Sequence, residues 1–411
     1  MNGKSVIRRN IEWFQKSGVM RPADGFWGVG ERICVVPSDE TAGKICAAFP
    51  AQTPIAPGVV ALEHRRCDCC IQTAFMFDLA ADVLKRPALR RVTDEILDYL
   101  TRRSCLQETA ETSPARGLWG FANPFARQIY WTDDNAWMVV LLLLLAKRGR
   151  PGLHACGLAG ARALFRHARP YLDHVIEKGK DVPYPDPAVV LNGLQLNPHW
   201  MGLVAMACAS AAKADVQTPY ESLIRDYHRL VLDGPPAHDV HSSRPTSTGL
   251  PWSLSEYAYL TLTASVVAQA CPLPDVIHAA RHAADTLCRF QEKDGHFRSE
   301  HYETPNAPHL ADLVYTQNWG TLGLYHAAQL FDSKPYRAAF RRSLTFLASI
   351  QDRSPEPHFA GCWRGLYDTA KGQWGGGDLF EGGQGSIYSG WTNAPIATAF
   401  LLQEAGQTLF A

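Results

Sequence analysis

The chain has no excess of either charge: forty basic residues stand against forty acidic ones. A balanced surface gives no electrostatic grip on nucleic acid or an anionic membrane, so neither is expected as a partner. A long apolar run is also missing. The longest, Ala136 to Ala146, is well short of the roughly 20 residues of a membrane span. The stretch Met1 to Gly18 has no apolar centre of signal-peptide type and reads as an amphipathic helix. Eleven cysteines, odd in number and irregularly spaced, make no disulfide framework. Free thiols in a reducing compartment follow, and with them a cytoplasmic location. No Gly-x-Ser-x-Gly elbow, His-Glu-x-x-His pair or dinucleotide fingerprint occurs. Cys67-Asp68-Cys69-Cys70, with His64 nearby, has no second pair at zinc spacing and reads as buried thiols at a helix start. Neither a metal nor a cofactor is expected.

What is present is helical periodicity, twelve segments of it. They fall at about 6–16, 66–84, 88–102, 133–146, 158–177, 199–213, 220–232, 254–270, 275–291, 311–330, 336–351 and 391–406. Their connections alternate between long and short. Short ones such as Lys85-Arg86-Pro87 join helices into hairpins, and each long one leads into the next member of one set. Helices of that set are apolar and rich in small residues, as inner helices packed on all sides should be. Their partners carry charge on one face. The first and last helices lack hairpin partners and can close a ring with each other. The expected fold is all-α: an (α/α)6 toroid of six helical hairpins, with residues 1–411 forming one domain.

A polar, aromatic rim recurs at the inner helix starts. Tyr130-Trp131-Thr132-Asp133-Asp134-Asn135-Ala136-Trp137 is the richest, with two adjacent carboxylates ahead of the longest apolar run. Similar rims are Asn197-Pro198-His199-Trp200, Trp252 to Tyr257, Tyr315 to Trp319 and Tyr388 to Asn393. Since every long connection lands on the same end of the ring, these rims are expected to share one cavity. His199, Trp200, Trp252, Tyr257, Tyr315, Asn318, Trp319, Tyr388 and Trp391 are the expected lining, together with Trp131. A lone tryptophan is more often core than ligand platform, but five aromatic rims at equivalent positions reverse that weighting.

These residues resemble the six-hairpin glycosidase-like superfamily, which includes unsaturated glucuronyl hydrolases, glucoamylase-like enzymes and several polysaccharide lyases. Thr132 to Trp137 is similar to the Asp-Asn rim that opens an inner helix in the glucuronyl hydrolases, and the resemblance implies that an Asp at this place is the acid/base. Their second catalytic Asp has no motif-level counterpart here. Phe290-Gln291-Glu292-Lys293-Asp294-Gly295-His296-Phe297 resembles a turn common after the outer helices of toroids, terpene cyclases included.

Glycoside hydrolysis needs two carboxyl groups, about 5–5.5 Å apart for retention or about 6.5–9.5 Å for inversion. Asp133 and Asp134 cannot share a helix face, so one is expected in the funnel while the other caps the helix. Asp134 is assigned as the acid because Asp133 is the better placed cap. The second carboxylate is sought in Asp378 or Glu381, in the Gly-rich stretch Gly375 to Gly385. That stretch is no phosphate loop, since the Gly-Lys-Ser/Thr ending is absent. Glu256, in the first turn of another inner helix, is a further candidate, although the helix dipole alone favours a Glu there. Asp312 is another, equally readable as a cap. Arg364 is a candidate partner for a uronate carboxylate.

The expected function is hydrolysis of an oligosaccharide, including one that carries a uronic acid. Three alternatives stand beside it. A lyase or uronate epimerase would use His199 with Tyr257 or Tyr315 as proton carriers and Asn197 to hold the carboxylate. A terpene-cyclase-like toroid would use the aromatic lining to steady a carbocation, but Asp133-Asp134 is short for an ionising motif. A carbohydrate-binding scaffold would use no carboxylate for turnover.

Overall fold

The computed structural model describes residues 3–185, 191–236, 246–301, 304–375 and 385–410. Among them are thirteen α-helices. After α1 (Gly3–Lys16) and α2 (Asp39–Ala48) come α3 (Cys67–Val83) and α4 (Leu89–Asp98), then α5 (Thr132–Lys147) and α6 (His154–Lys178). They are followed by α7 (Trp200–Ala212) with α8 (Tyr220–Val231), and α9 (Leu254–Ala270) with α10 (Pro274–Phe290). The series ends with α11 (Gln317–Leu330), α12 (Lys334–Ile350) and α13 (Ala394–Ala405).

Helices α3, α5, α7, α9, α11 and α13 pack each on the next, and α13 returns to α3. Each has an outer partner: α4, α6, α8, α10, α12 and, for α13, the first helix α1. This is the (α/α)6 toroid. Inner helices are buried all round, as α5 is from Thr132 to Leu145 and α9 from Leu254 to Ala268. An outer helix such as α8 buries only a stripe, Leu223, Ile224, Tyr227 and Val231 among it. Among the described residues no helix is long and apolar enough to cross a membrane.

Three departures from the sequence expectation lie in the long connections. Residues 17–62 hold α2 and part of a four-stranded antiparallel sheet. In that sheet Arg32–Val35 pairs with Val59–Leu62 on one side and with Ser386–Tyr388 on the other. Strands of three to five residues give too little alternation to be read against a helical background. Helix α11 starts at Gln317 rather than near 311, because Thr304–Asp312 is extended and pairs with Leu366–Asp368. Pro305 and Pro308 lie within that strand, and neither ring tolerates a helix interior. Helix α13 starts at Ala394, after one π turn over Ser389–Asn393.

Three hairpins are locked by one repeated device. On the inner helix an amide side chain grips the backbone of an aromatic residue in the preceding connection. Asn135 accepts from Trp119 N at 2.7 Å and donates to Trp119 O at 3.0 Å. Asn393 does the same to Trp363, at 2.9 and 3.0 Å. Gln317 accepts from Phe297 N at 2.8 Å. Two residues before each aromatic is a glycine with positive φ: Gly117 (97°), Gly295 (102°) and Gly361 (93°). A side chain there would be strained and would collide with a backbone carbonyl of an outer helix, Ala159, Arg342 or Arg9 respectively. The Gln291-to-Phe297 turn is one of these devices. The Gln291 amide also ties α10 to α12, donating to Gly295 O and Ala339 O.

Candidate active site

One end of the ring holds a cavity of about 190 Å³ lined by Arg66, Phe121, Trp131, Asp133, His199, Trp200, Val314, Tyr315, Tyr388 and Trp391. Its walls come from the starts of α3, α5, α7, α11 and α13, as the alternation of long and short connections requires.

Successive residues in a helix diverge by about 100°, so the two aspartates of α5 turn to different neighbours. Asp133 turns to α7, where its Oδ2 lies 3.2 Å from His199 Nε2. Asp134 turns to α3 and accepts from Arg66 Nη2 at 2.7 Å. The carboxyl that lines the cavity is therefore Asp133, not Asp134 as expected. Asp134 is fully buried behind the wall.

Arg66, just before α3, organises the charges. Its Nε and Nη2 hold Asp68 at 3.0 and 3.2 Å, its Nη1 holds Glu31 at 3.1 Å, and Nη2 also holds Asp134. The guanidinium lies over Phe121, 4.6 Å from the ring centre. Burial drives the Asp134 carboxyl well above the usual range, and Asp68 and Asp133 add to this against Arg66. Burial likewise raises Asp68, despite Arg66. For Asp133 burial also pushes upward, but the His199 hydrogen bond and charge, with Arg66, outweigh it and leave this carboxyl low. Glu31 is low for a similar reason: Arg32 and Arg66 overcome its burial. Two carboxyls are thus held low and two are pushed high.

His199 is fixed from three sides. Its backbone N donates to Glu256 Oε2 at 2.9 Å, its ring stacks on Tyr259 at 4.1 Å, and Trp391 meets it edge-on at 5.5 Å. Glu256 therefore holds the histidine from behind the cavity wall, not as a group of the lining. Tyr315 stacks on His301 at 3.6 Å, and Tyr388 lies under the Arg32 guanidinium at 4.4 Å.

Of the expected residues, Trp131, Asp133, His199, Trp200, Tyr315, Tyr388 and Trp391 meet in the cavity. Trp252 donates to Val231 O and Tyr257 packs edge-on to His282, both turned toward outer helices. Asn318 donates to Val314 O and Trp391 O, which sets the wall rather than lining it. Trp319 stacks on Trp137 at 5.2 Å beneath the floor. Arg364 is paired with Asp352 at 2.7 Å and lies over Phe359, away from the cavity. Asn197 caps α7 through Trp200 N, and Asp312 shapes the turn that delivers Tyr315 through Val314 N and Tyr315 N. Asp378 and Glu381 lie outside the described residues.

Arg66, Glu31 and Asp68 escaped the sequence reading. The signal for two of them was present: Arg66-Cys67-Asp68 opens an inner helix, as the other rims do, but the cysteines drew attention instead. Those thiols are buried, and burial pushes Cys70 up to about 12.

No family model matches the sequence, and no curated protein matches it. Solved structures do match the fold. The unsaturated glucuronyl hydrolase from Bacillus sp. GL1 is 12% identical with a TM-score of 0.60, over 88% of this chain and 94% of that one. Cellobiose 2-epimerase from Bacillus thermoamylovorans B4167 is 12% identical with a TM-score of 0.56, over 83% and 88%. The α-1,6-mannanase of Salegentibacter sp. HEL1_6, an inactive variant with two adjacent aspartates replaced, is 9% identical with a TM-score of 0.56, over 98% of each chain. What these proteins share with the chain is the fold, the (α/α)6 toroid.

Proposed function

We propose that this six-hairpin toroid is a glycoside hydrolase that takes one sugar ring into its funnel and uses Asp133 with His199 as the acid/base pair. The observation that carries the reading is the 3.2 Å contact between these two side chains in an aromatic-walled cavity. At about 190 Å³ the cavity is small beside drug-sized sites of roughly 300–1,000 Å³, so a terminal ring suits it better than a chain interior. The rings of Trp131, Trp200 and Trp391 offer stacking faces for the apolar side of a sugar. The Asp133–His199 pair, whose members touch, gives a proton to the leaving oxygen, and a second carboxylate, in this reading Asp378 or Glu381, takes one from the water that attacks the anomeric carbon. The mannanase whose adjacent aspartates were replaced in an inactive variant supports a catalytic role for such a pair.

Asp133→Asn is expected to fold normally and to lower kcat on a responsive chromogenic glycoside by at least about a hundredfold, the scale of lost acid–base catalysis. Unchanged turnover in that variant sinks the assignment.

The same contact favours a second reading, epimerisation or isomerisation of a reducing-end sugar. Here the His199–Asp133 pair abstracts a proton from carbon and Tyr315, another residue of the lining, returns one. A cellobiose 2-epimerase and a D-mannose isomerase share the fold. Turnover in D2O separates the two: deuterium on a sugar carbon without new reducing ends marks the second reaction, and new reducing ends without it mark hydrolysis.

A further inference from the structure

We propose that the funnel selects an uncharged sugar ring and rejects the corresponding uronate, a substrate class that rests on the carbohydrate reading above and narrows it. Among the described residues Arg66 is the one arginine or lysine that lines the cavity. A guanidinium recognises a carboxylate best through two parallel N–H donors. Arg66 has five N–H donors, and four hydrogen bonds already engage it: two to Asp68, one to Glu31 and one to Asp134. No free fork is left for a ligand, and one guanidinium face is covered by Phe121.

Three carboxyls, Glu31, Asp68 and Asp134, already contact this one guanidinium, and a fourth, Asp133, lines the cavity beside it. A further carboxylate entering here finds no free arginine or lysine fork among the described residues and meets Asp133 as a like charge. The groups left open fit a hydroxyl instead. Asp133 Oδ1, an acceptor, and Trp391 Nε1, a donor, are buried with no hydrogen-bond partner among the described residues. A sugar hydroxyl both donates and accepts, so it satisfies either one. A carboxylate satisfies only the indole.

The test is tryptophan fluorescence of the intact protein, since Trp131, Trp200 and Trp391 line the cavity. It is titrated at neutral pH with the methyl glycosides of glucose, galactose and mannose and, in parallel, with the methyl glycosides of the matching uronic acids. Each pair differs only at C6. The neutral ligand that binds best is expected to bind at least about tenfold more tightly than its uronate. Equal or tighter uronate binding overturns the selection while leaving the carbohydrate reading in place. Quenching by none of the six removes that reading, and the selection with it. Glu31→Gln takes one carboxylate away from Arg66 and is expected to narrow the gap. An unchanged gap in a folded Glu31→Gln protein shows a steric filter and overturns the electrostatic account. Should this variant not fold, the wild-type comparison decides.

Discussion

At the scale of single residues, the pair Asp133-Asp134 shows how one helical step divides two identical side chains. One reaches His199 and stays ionised; the other is sealed behind Arg66 and tends to keep its proton. The second has a consequence for stability. Asp134 ionises at the ordinary carboxylate pKa in the unfolded chain but only at higher pH in the folded one, so between those values folding takes up a proton. Stability then falls as pH rises through that window, by up to about 1.4 kcal/mol per pH unit for one proton. Asp134→Asn removes this slope. In denaturant titrations at pH 4, 5, 6 and 7, the stability of the variant relative to wild type is expected to rise with pH; a difference that stays flat counts against a retained proton. Glu256 gives a second test, because it touches His199 only through the backbone N. Glu256→Gln is expected to lower kcat several-fold with little change in KM, far less than Asp133→Asn. Equal losses in the two variants would place Glu256 among the reacting groups. Sequence could name the aspartate pair but not its phase, since cap and cavity positions differ by a single residue.

At the scale of elements, the recurring rims carried two messages that look alike in sequence. The aromatics of five rims pointed to one cavity, and five of them (Trp131, Trp200, Tyr315, Tyr388 and Trp391) line it, with Phe121 unforeseen. The amides beside them are structural. Asn135, Gln317 and Asn393 grip Trp119, Phe297 and Trp363, so part of the recurrence came from hairpin locking. Asn and Gln suit both tasks, and only the partner atoms distinguish them. Asn135→Ala strands the N–H and C=O of Trp119 in the interior. With about 1–3 kcal/mol for each buried group left unsatisfied, a loss of roughly 2–6 kcal/mol is expected. Urea denaturation should show a lower midpoint at unchanged slope; a loss below about 0.5 kcal/mol would mean that water replaces the amide. Alternation of connection length revealed the toroid because it follows from topology. The short strands between Arg32 and Leu62 stayed hidden because they are stabilised by partners distant in sequence, Ser386–Tyr388 among them.

At the scale of the molecule, the ring is sealed where α1 meets the last hairpins. Gln351 donates to Val6 O at 3.0 Å and Gly361 O at 2.9 Å while accepting from Arg9 Nε at 2.8 Å, so one side chain spans the closing seam. Gln351→Ala is expected to lower the thermal midpoint while a single cooperative transition is kept, and scanning calorimetry checks it. Two separated transitions would show that the hairpins unfold independently of closure. The sheet over the seam adds to it, joining Arg32–Val35 to Ser386–Tyr388, and Gly3 lies against the side chain of Glu404. The start of the described chain thus lies beside α13, the last helix, and where the backbone is cut is topologically arbitrary. A flexible linker joining Gly3 to Phe410, with new ends opened at the exposed 216–218 turn between α7 and α8, should yield a rearranged polypeptide that encloses the same cavity.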